Sequence, residues 1–276
     1  MSATAVDLSA PPVHRRRIRR RGWVFPAYTA VVLAYLFLPI GVMILFGFNN
    51  TTSRFNFTWQ GFTLRWYRQL FAIPDLVTAL KNSIAIAVIS TIVATIIGTM
   101  IALALTRYRF RGRGATNMFV FLPIATPEVV LGASLLSIFV TMGIQRGLGT
   151  ILIAHIMFNI SYVVVTVKAR TQGFNREWED AAQDLGATPW TAFRTVTFPL
   201  IFPGIMAAAI LSFALSIDDY VITSFNAGQT LTFPLWVFGS SRIGVPPQVN
   251  VMGTLLFAIG VVAALATVVL QRKRLA

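Results

Sequence analysis

Cysteine is absent from the 276 residues, so the chain has no disulfide framework, thiol nucleophile or thiolate-held zinc. Lysine is nearly absent: Lys81, Lys168 and Lys273 all lie outside any glycine-rich phosphate cradle, which excludes a nucleotide-binding P-loop in this chain. Charged residues make up only 12% of the sequence, with nine Asp and Glu against 23 Lys and Arg. No internal repeat, heptad pattern or appended soluble domain emerges. What fills the chain is apolar: 56% of residues are hydrophobic, too many for an ordinary soluble domain. The net charge of +14 does not signal nucleic acid, because the basic residues cluster at the ends of apolar runs instead of interleaving with aromatics on one face.

Six apolar runs are long enough to cross a bilayer at about 1.5 Å per residue. They fall at 23–48, 84–105, 118–142, 148–167, 198–225 and 249–270, the third and fourth separated only by a tight turn at 143–147. The expectation is an all-α polytopic membrane protein of six transmembrane helices. Residues 1–22, with the run HRRRIRRR, read as a disordered basic tail, 23–270 as the membrane domain and 271–276 as a short C-terminal tail. The first run is longer than a signal-peptide core and lacks a small-residue cleavage site, so it is expected to remain as a span. Of the 23 basic residues, only Arg54, Arg65, Arg68, Lys81, Arg146 and Arg242 fall on one side of this topology. The positive-inside rule therefore places both termini and the connection between the fourth and fifth spans in the cytoplasm.

That connection, 171–203, is the wettest part of an oily chain and holds Glu177, Glu179, Asp180 and Asp184, four of the nine acids. Asn175 is placed as an N-cap, and the acids that follow put negative charge where a helix dipole is positive. Gly186 suits a left-handed residue just past the helix end, and Thr188-Pro189 supplies the next cap and first-turn proline. Two short helices meeting at a corner result. Ala181 and Ala182 leave the backbone bare for a close partner, with Trp178 and Leu185 as larger anchors; an amphipathic helix lying on lipid fits the same pattern.

Ionisable groups within spans are costly and point to function. Glu128 follows Pro123 and Pro127, which should kink the third span and open a polar pocket. Asp218 and Asp219 lie among Ser212, Ser216, Tyr220, Thr223 and Ser224 in the fifth. None of the three acids has a basic neighbour in sequence, which suits a cationic solute; they also suit an ion-coupled transporter acting alone, or a buried structural hub. His155 reads as a packing residue. Tyr220, Phe225 and Trp236 offer aromatic faces for a cation. Two outer loops, 49–81 with Trp59, Trp66 and Tyr67, and 226–250 with Pro234, Pro246 and Pro247, suit either an interfacial aromatic belt or contact with an external partner.

The run EDAAQDLGA at 179–187, followed by Phe193, Val196 and Phe198-Pro199, resembles the coupling loop of permease subunits of bacterial ATP-binding-cassette importers, with Asp180 where glutamate is commoner. SIDDYVITSFNAG, FPLWVFGSSRIGVPPQVN and RYRFRG resemble the spermidine/putrescine permeases, the second of the two types. Related motifs recur less completely in importers of iron, thiamine and aminoethylphosphonate. The resemblance implies a type I importer permease architecture in the bacterial inner membrane, moving a polyamine by alternating access. It further implies a heterodimer with a second permease, two ATPase subunits that bind the ATP and Mg, and an extracytoplasmic substrate-binding protein. This chain itself would hold no cofactor or metal and catalyse no reaction. Glu179, Asp180, Ala181, Ala182, Asp184, Gly186 and Ala187 would engage the ATPase, and Glu128, Asp218, Asp219 and Tyr220 would line the path.

Overall fold

The computed structural model describes residues 23–275 apart from Arg54 and Phe174. The basic tail expected over 1–22 lies outside the described residues. The chain is helical throughout, and its order follows the apolar runs. Helix α1 (Val24–Phe46) is followed by an irregular stretch and the single turn α2 (Arg65–Arg68). Next come α3 (Pro74–Arg107), α4 (Arg113–Ala125), α5 (Glu128–Thr141) and α6 (Leu148–Gln172). The wet connection forms α7 (Glu177–Asp184) and α8 (Pro189–Ala192), then a π-helical turn (Phe193–Thr197) that runs into α9 (Phe198–Ile217). Helices α10 (Val221–Asn226), α11 (Phe233–Ser240) and α12 (Pro247–Leu275) complete it.

Among the described residues, four single helices are long and apolar enough to cross a membrane, and α4 with α5 makes a fifth if the bent pair is one span. The sixth expected run, 249–270, lies inside α12, which continues through the residues assigned to a separate tail to Leu275. Two expected spans are not continuous. The third is split at Thr126-Pro127, where α4 and α5 meet at a 110° bend, because proline lacks the donor that a helix interior needs. The fifth stops at Ile217 and resumes at Val221, so Asp218 and Asp219 sit in a break and not on a helix face. In lipid such a break persists only where its backbone groups find partners in the protein.

The core is the mutual packing of α3, α6 and α9. Ala94, Ala102 and Leu105 of α3 meet Val163, Val164 and Val167 of α6 and Ile201, Ile205 and Ala208 of α9 in one buried cluster. Small residues allow this proximity, since helices in a bilayer associate through close contact and not through expulsion of water. At Gly98 the approach is closest: a Cβ there would stand 2.7 Å from Val163 Cβ and Cγ1. A second cluster joins α5, α6 and α10 through Leu131, Leu135, Phe158 and Ile222. Helix α1 packs on α12 and leaves nearly all its side chains uncovered.

Gly98→Leu should therefore force α3 from α6 at a cost of about 1–3 kcal/mol, seen as a lower unfolding midpoint of the detergent-solubilised protein. Gly41→Leu on α1, where a Cβ meets nothing within 4 Å, should leave the midpoint unchanged.

Candidate functional site

The structure assembles two candidate regions, one at the wet connection and one at the break after α9. In the first, the Asn175 side chain accepts the Glu177 amide at 3.2 Å and donates to the Glu177 carboxylate at 2.6 Å; α7 starts at Glu177 as expected, but Arg176 and not Asn175 holds the N-cap position, Asn175 forming the turn just before it. Gly186 has φ +91°, and the Gly186 and Ala187 amides close the helix end on the Gln183 and Ala182 carbonyls. Thr188 then accepts the Thr191 amide at 3.2 Å, and Pro189 opens α8. The corner turns on the left-handed glycine.

The faces of this hairpin differ. Asp180, Ala181, Asp184 and Gly186 are exposed, with Ala182 and Ala187 half-buried. Leu185 is 90% exposed, and Trp190 (69%) and Trp178 (54%) are also open, so apolar side chains project from an acidic rim. Glu179 does the opposite. It is buried, and its Oε1 lies 2.7 Å from Arg107 Nη2 at the end of α3. The sequence placed Glu179 on the same partner-facing surface as its neighbours; the geometry turns it into the chain's own bundle.

In the second region the adjacent acids part company. Asp219 faces inward, its side chain 8% exposed, and its carboxylate accepts the Ile222 and Thr223 amides at 3.3 and 2.8 Å and the Thr223 hydroxyl at 2.6 Å. It thereby holds two amides in the first turn of α10. His155 Nε2 lies 3.2 Å from the same carboxylate and 2.9 Å from Thr223 Oγ1, while its Nδ1 is 2.6 Å from Ser216 Oγ. Thr223 has given its one hydroxyl proton to Asp219, so its oxygen accepts from His155 Nε2–H. Ser216 continues to Ser90 at 3.1 Å, and Asn159 Nδ2 donates to Ser90 at 3.4 Å. The chain of contacts ties α3, α6, α9 and α10 together.

Asp219 has no basic neighbour in sequence, and its partner His155 comes from another helix; His155 is buried with both ring nitrogens in contact, so it joins the helices as a polar hub. Its presence within the apolar run ILIAHIMFNI was the available signal, since an intramembrane imidazole carries the same weight as an intramembrane acid. Asp218 is exposed and lines a cavity of about 1060 Å³ with Tyr220, Phe213, Phe233, Phe238 and Phe257. Among the described residues it is the single charged member of a mostly apolar lining that also includes Tyr220 and Ser241. The Tyr220 and Phe238 rings lie 4.5 Å apart, and the Arg242 guanidinium sits 5.8 Å from the Phe238 ring. Glu128 is exposed at the first position of α5, at the corner of the bend, and does not line this cavity.

His155→Leu strips the imidazole from a buried carboxylate and should cost about 1–3 kcal/mol in thermal unfolding of the purified protein. Combined with Asp219→Asn, the loss should fall short of the sum of the single losses, because the second change removes the charge that the first leaves unpaired.

Comparison with known proteins accords with this architecture. The sequence profile of the family described as "Binding-protein-dependent transport system inner membrane component" matches residues 94–274. The chain is 39% identical over 248 residues to the spermidine/putrescine transport system permease protein PotC of Escherichia coli K12, covering 90% of this chain and 93% of that one. It is 36% identical over 247 residues to the putrescine transport system permease protein PotI of the same organism, covering 86% and 87%. Among solved structures, a bacterial transporter that imports the acidic polysaccharide alginate aligns with a TM-score of 0.66 at 15% identity, over 91% of this chain and 96% of that one. The methionine transporter MetNI aligns with a TM-score of 0.58 at 19% identity, over 72% and 95%. At such identities the solved structures establish the shared fold, and with the profile and the sequence relatives the chain belongs to the family of binding-protein-dependent transport system inner membrane components.

Proposed function

We propose that this chain is the permease subunit of an ATP-driven importer and forms a translocation path for a polyamine of the spermidine/putrescine class. The observation that carries the reading is 39% identity to the spermidine/putrescine permease PotC across nearly the full length of both chains. The geometry adds a chemical rationale. A polyamine is a flexible chain of ammonium groups joined by methylenes, and a cavity of aromatic and aliphatic walls with one carboxylate, Asp218, complements both parts. A stand-alone ion-driven carrier would leave the α7–α8 hairpin without a role, whereas an importer uses it.

In this reading the exposed hairpin with Leu185 and Trp190 seats in a groove of a separate ATPase subunit, which binds and hydrolyses the ATP. The basic ends of the chain and the hairpin face the cytoplasm, as the distribution of arginines favours. A second permease covers the lipid-like faces left open in this chain, and an extracytoplasmic binding protein delivers the cargo to the opposite side. One solved alginate transporter was captured with its periplasmic protein, which lends the arrangement support by analogy of fold. Closure of the ATPase pair moves the hairpin and exposes the path outward; its reopening returns the path inward. The chain's own residues bind, orient and release, and make no covalent bond.

The test is uptake into vesicles holding the assembled transporter, with spermidine and putrescine offered beside a neutral and an anionic solute. Asp218→Asn should raise the polyamine concentration for half-maximal uptake roughly tenfold, equivalent to about 1.4 kcal/mol, while ATP hydrolysis remains stimulated by the loaded binding protein. Equal uptake of the neutral solute would sink the polyamine assignment, and an unaltered polyamine dependence in Asp218→Asn would remove Asp218 from the path. Gly186→Pro should abolish stimulated hydrolysis, because proline cannot adopt the φ of +91° on which the corner turns.

A further inference from the structure

Helix α7 is only eight residues long and ends just before Gly186, whose φ is +91°. So short an element transmits a displacement better the more firmly it is tied sideways to the body it must move. The contact between Glu179 and Arg107 does this. Their charged atoms are 2.7 Å apart with side chains 10% and 20% exposed, so solvent and salt screen the attraction far less than at the surface. The same Arg107 nitrogen, Nη2, donates to Thr197 Oγ1 at 3.3 Å. Thr197 is fully buried and closes the π-helical turn from which α9 starts. One guanidinium therefore touches three elements: it ends α3, holds α7 and anchors the root of α9. Since α3 and α9 are also packed on each other through the core, whatever moves Glu179 is tied to two of the three central helices.

We propose that Arg107 and Glu179 form a strap that makes α7, the end of α3 and the root of α9 move as one body, so that displacement of the hairpin becomes displacement of the bundle. The proposal rests on the reading of the hairpin as the ATPase-facing element. It assigns Glu179 a role different from that of Asp180 and Asp184, which stay on the exposed rim. Arg107 and Glu179 are positioning residues: neither faces the Asp218 cavity, and both act through the helices they join. Arg176 is the other basic residue close by, lining with Arg107 and Glu179 a small cavity of about 90 Å³, and is the natural competitor for the carboxylate.

The experiment uses the complete reconstituted transporter and reads solute imported per ATP hydrolysed, with co-purification of all subunits as the check on assembly. Arg107→Gln and Glu179→Gln should each assemble yet lower the ratio about fivefold or more, since each leaves one charge buried and removes the ionic tie between α7 and the end of α3. The exchange Arg107→Glu with Glu179→Arg should return at least about half of the loss, an interaction that appears only when the two sites act as a pair. Arg176→Gln should stay within about twofold of the unaltered protein, as expected of a residue outside the pair. A wild-type ratio in both neutral variants, an exchange no better than they are, or an equal loss in Arg176→Gln would overturn the strap. Should the neutral variants fail to assemble, Glu179→Asp keeps the charge and shortens the reach by one methylene; an intermediate ratio supports the strap and an unaltered ratio overturns it. Leu185→Asp separates the two ideas. If it leaves stimulated hydrolysis intact, the docking reading of the hairpin fails; if it abolishes hydrolysis while the Arg107 and Glu179 variants keep their ratio, only the strap fails.

Discussion

A break in a membrane helix exposes amides that lipid cannot satisfy, and much of this molecule follows from how the break at Asp218–Tyr220 is resolved. Asp219 takes the first amides of α10, Thr223 lends its hydroxyl, and His155 from α6 comes within 3.2 Å of the same carboxylate. The chain can then leave the line of α9 with the Ile222 and Thr223 amides paired. That departure carries Tyr220 against Phe238 of α11 and turns Asp218 towards the large cavity. A carboxylate is tolerable on that wall because its neighbour, not it, meets the backbone demand. The adjacent pair is a division of labour imposed by desolvation.

The other end of the molecule obeys the complementary constraint. Around the hairpin, acidic and apolar groups can face outward because this region is the wettest part of the chain, and Leu185 is almost entirely uncovered. Among its acids Glu179 alone is drawn in, and it is drawn to an arginine whose position is set by the length of α3. The two regions are connected through solid packing. Gly98 against Val163, and Ile201 and Ile205 against the valines of α6, leave α3, α6 and α9 little freedom to move independently. A dense core of small and branched side chains suits a machine that tilts its helices as a group.

Much of this was legible in the residues. Apolar length announced the helices, because a helix in lipid needs about 20 apolar residues whatever its neighbours do. Asn175, Gly186 and Thr188-Pro189 marked the hairpin, since caps and a left-handed residue are local chemistry. The likeness of EDAAQDLGA and SIDDYVITSFNAG to importer permeases pointed to the family that the comparisons establish. The orientation of side chains was less legible. Glu179 and Asp180 are neighbours with the same charge, and Asp218 and Asp219 have the same chemistry, yet each pair divides between inside and outside.

The sequence by itself determined the class of protein, the rough place of its apolar helices and the two stretches where function would gather, because hydropathy, capping and backbone preference act over a few residues; that two of the six expected spans are broken was left to the tertiary structure. Only the tertiary structure decided which acid is a strut and which is free. His155 and Asp219 are 64 positions apart and Arg107 and Glu179 are 72 apart by subtraction of their numbers, and contacts over such distances depend on how helices are arranged against one another. Desolvation then chose the partners: a charge carried into the bundle must find an opposite or hydrogen-bonding group there, and a charge left on its surface need not.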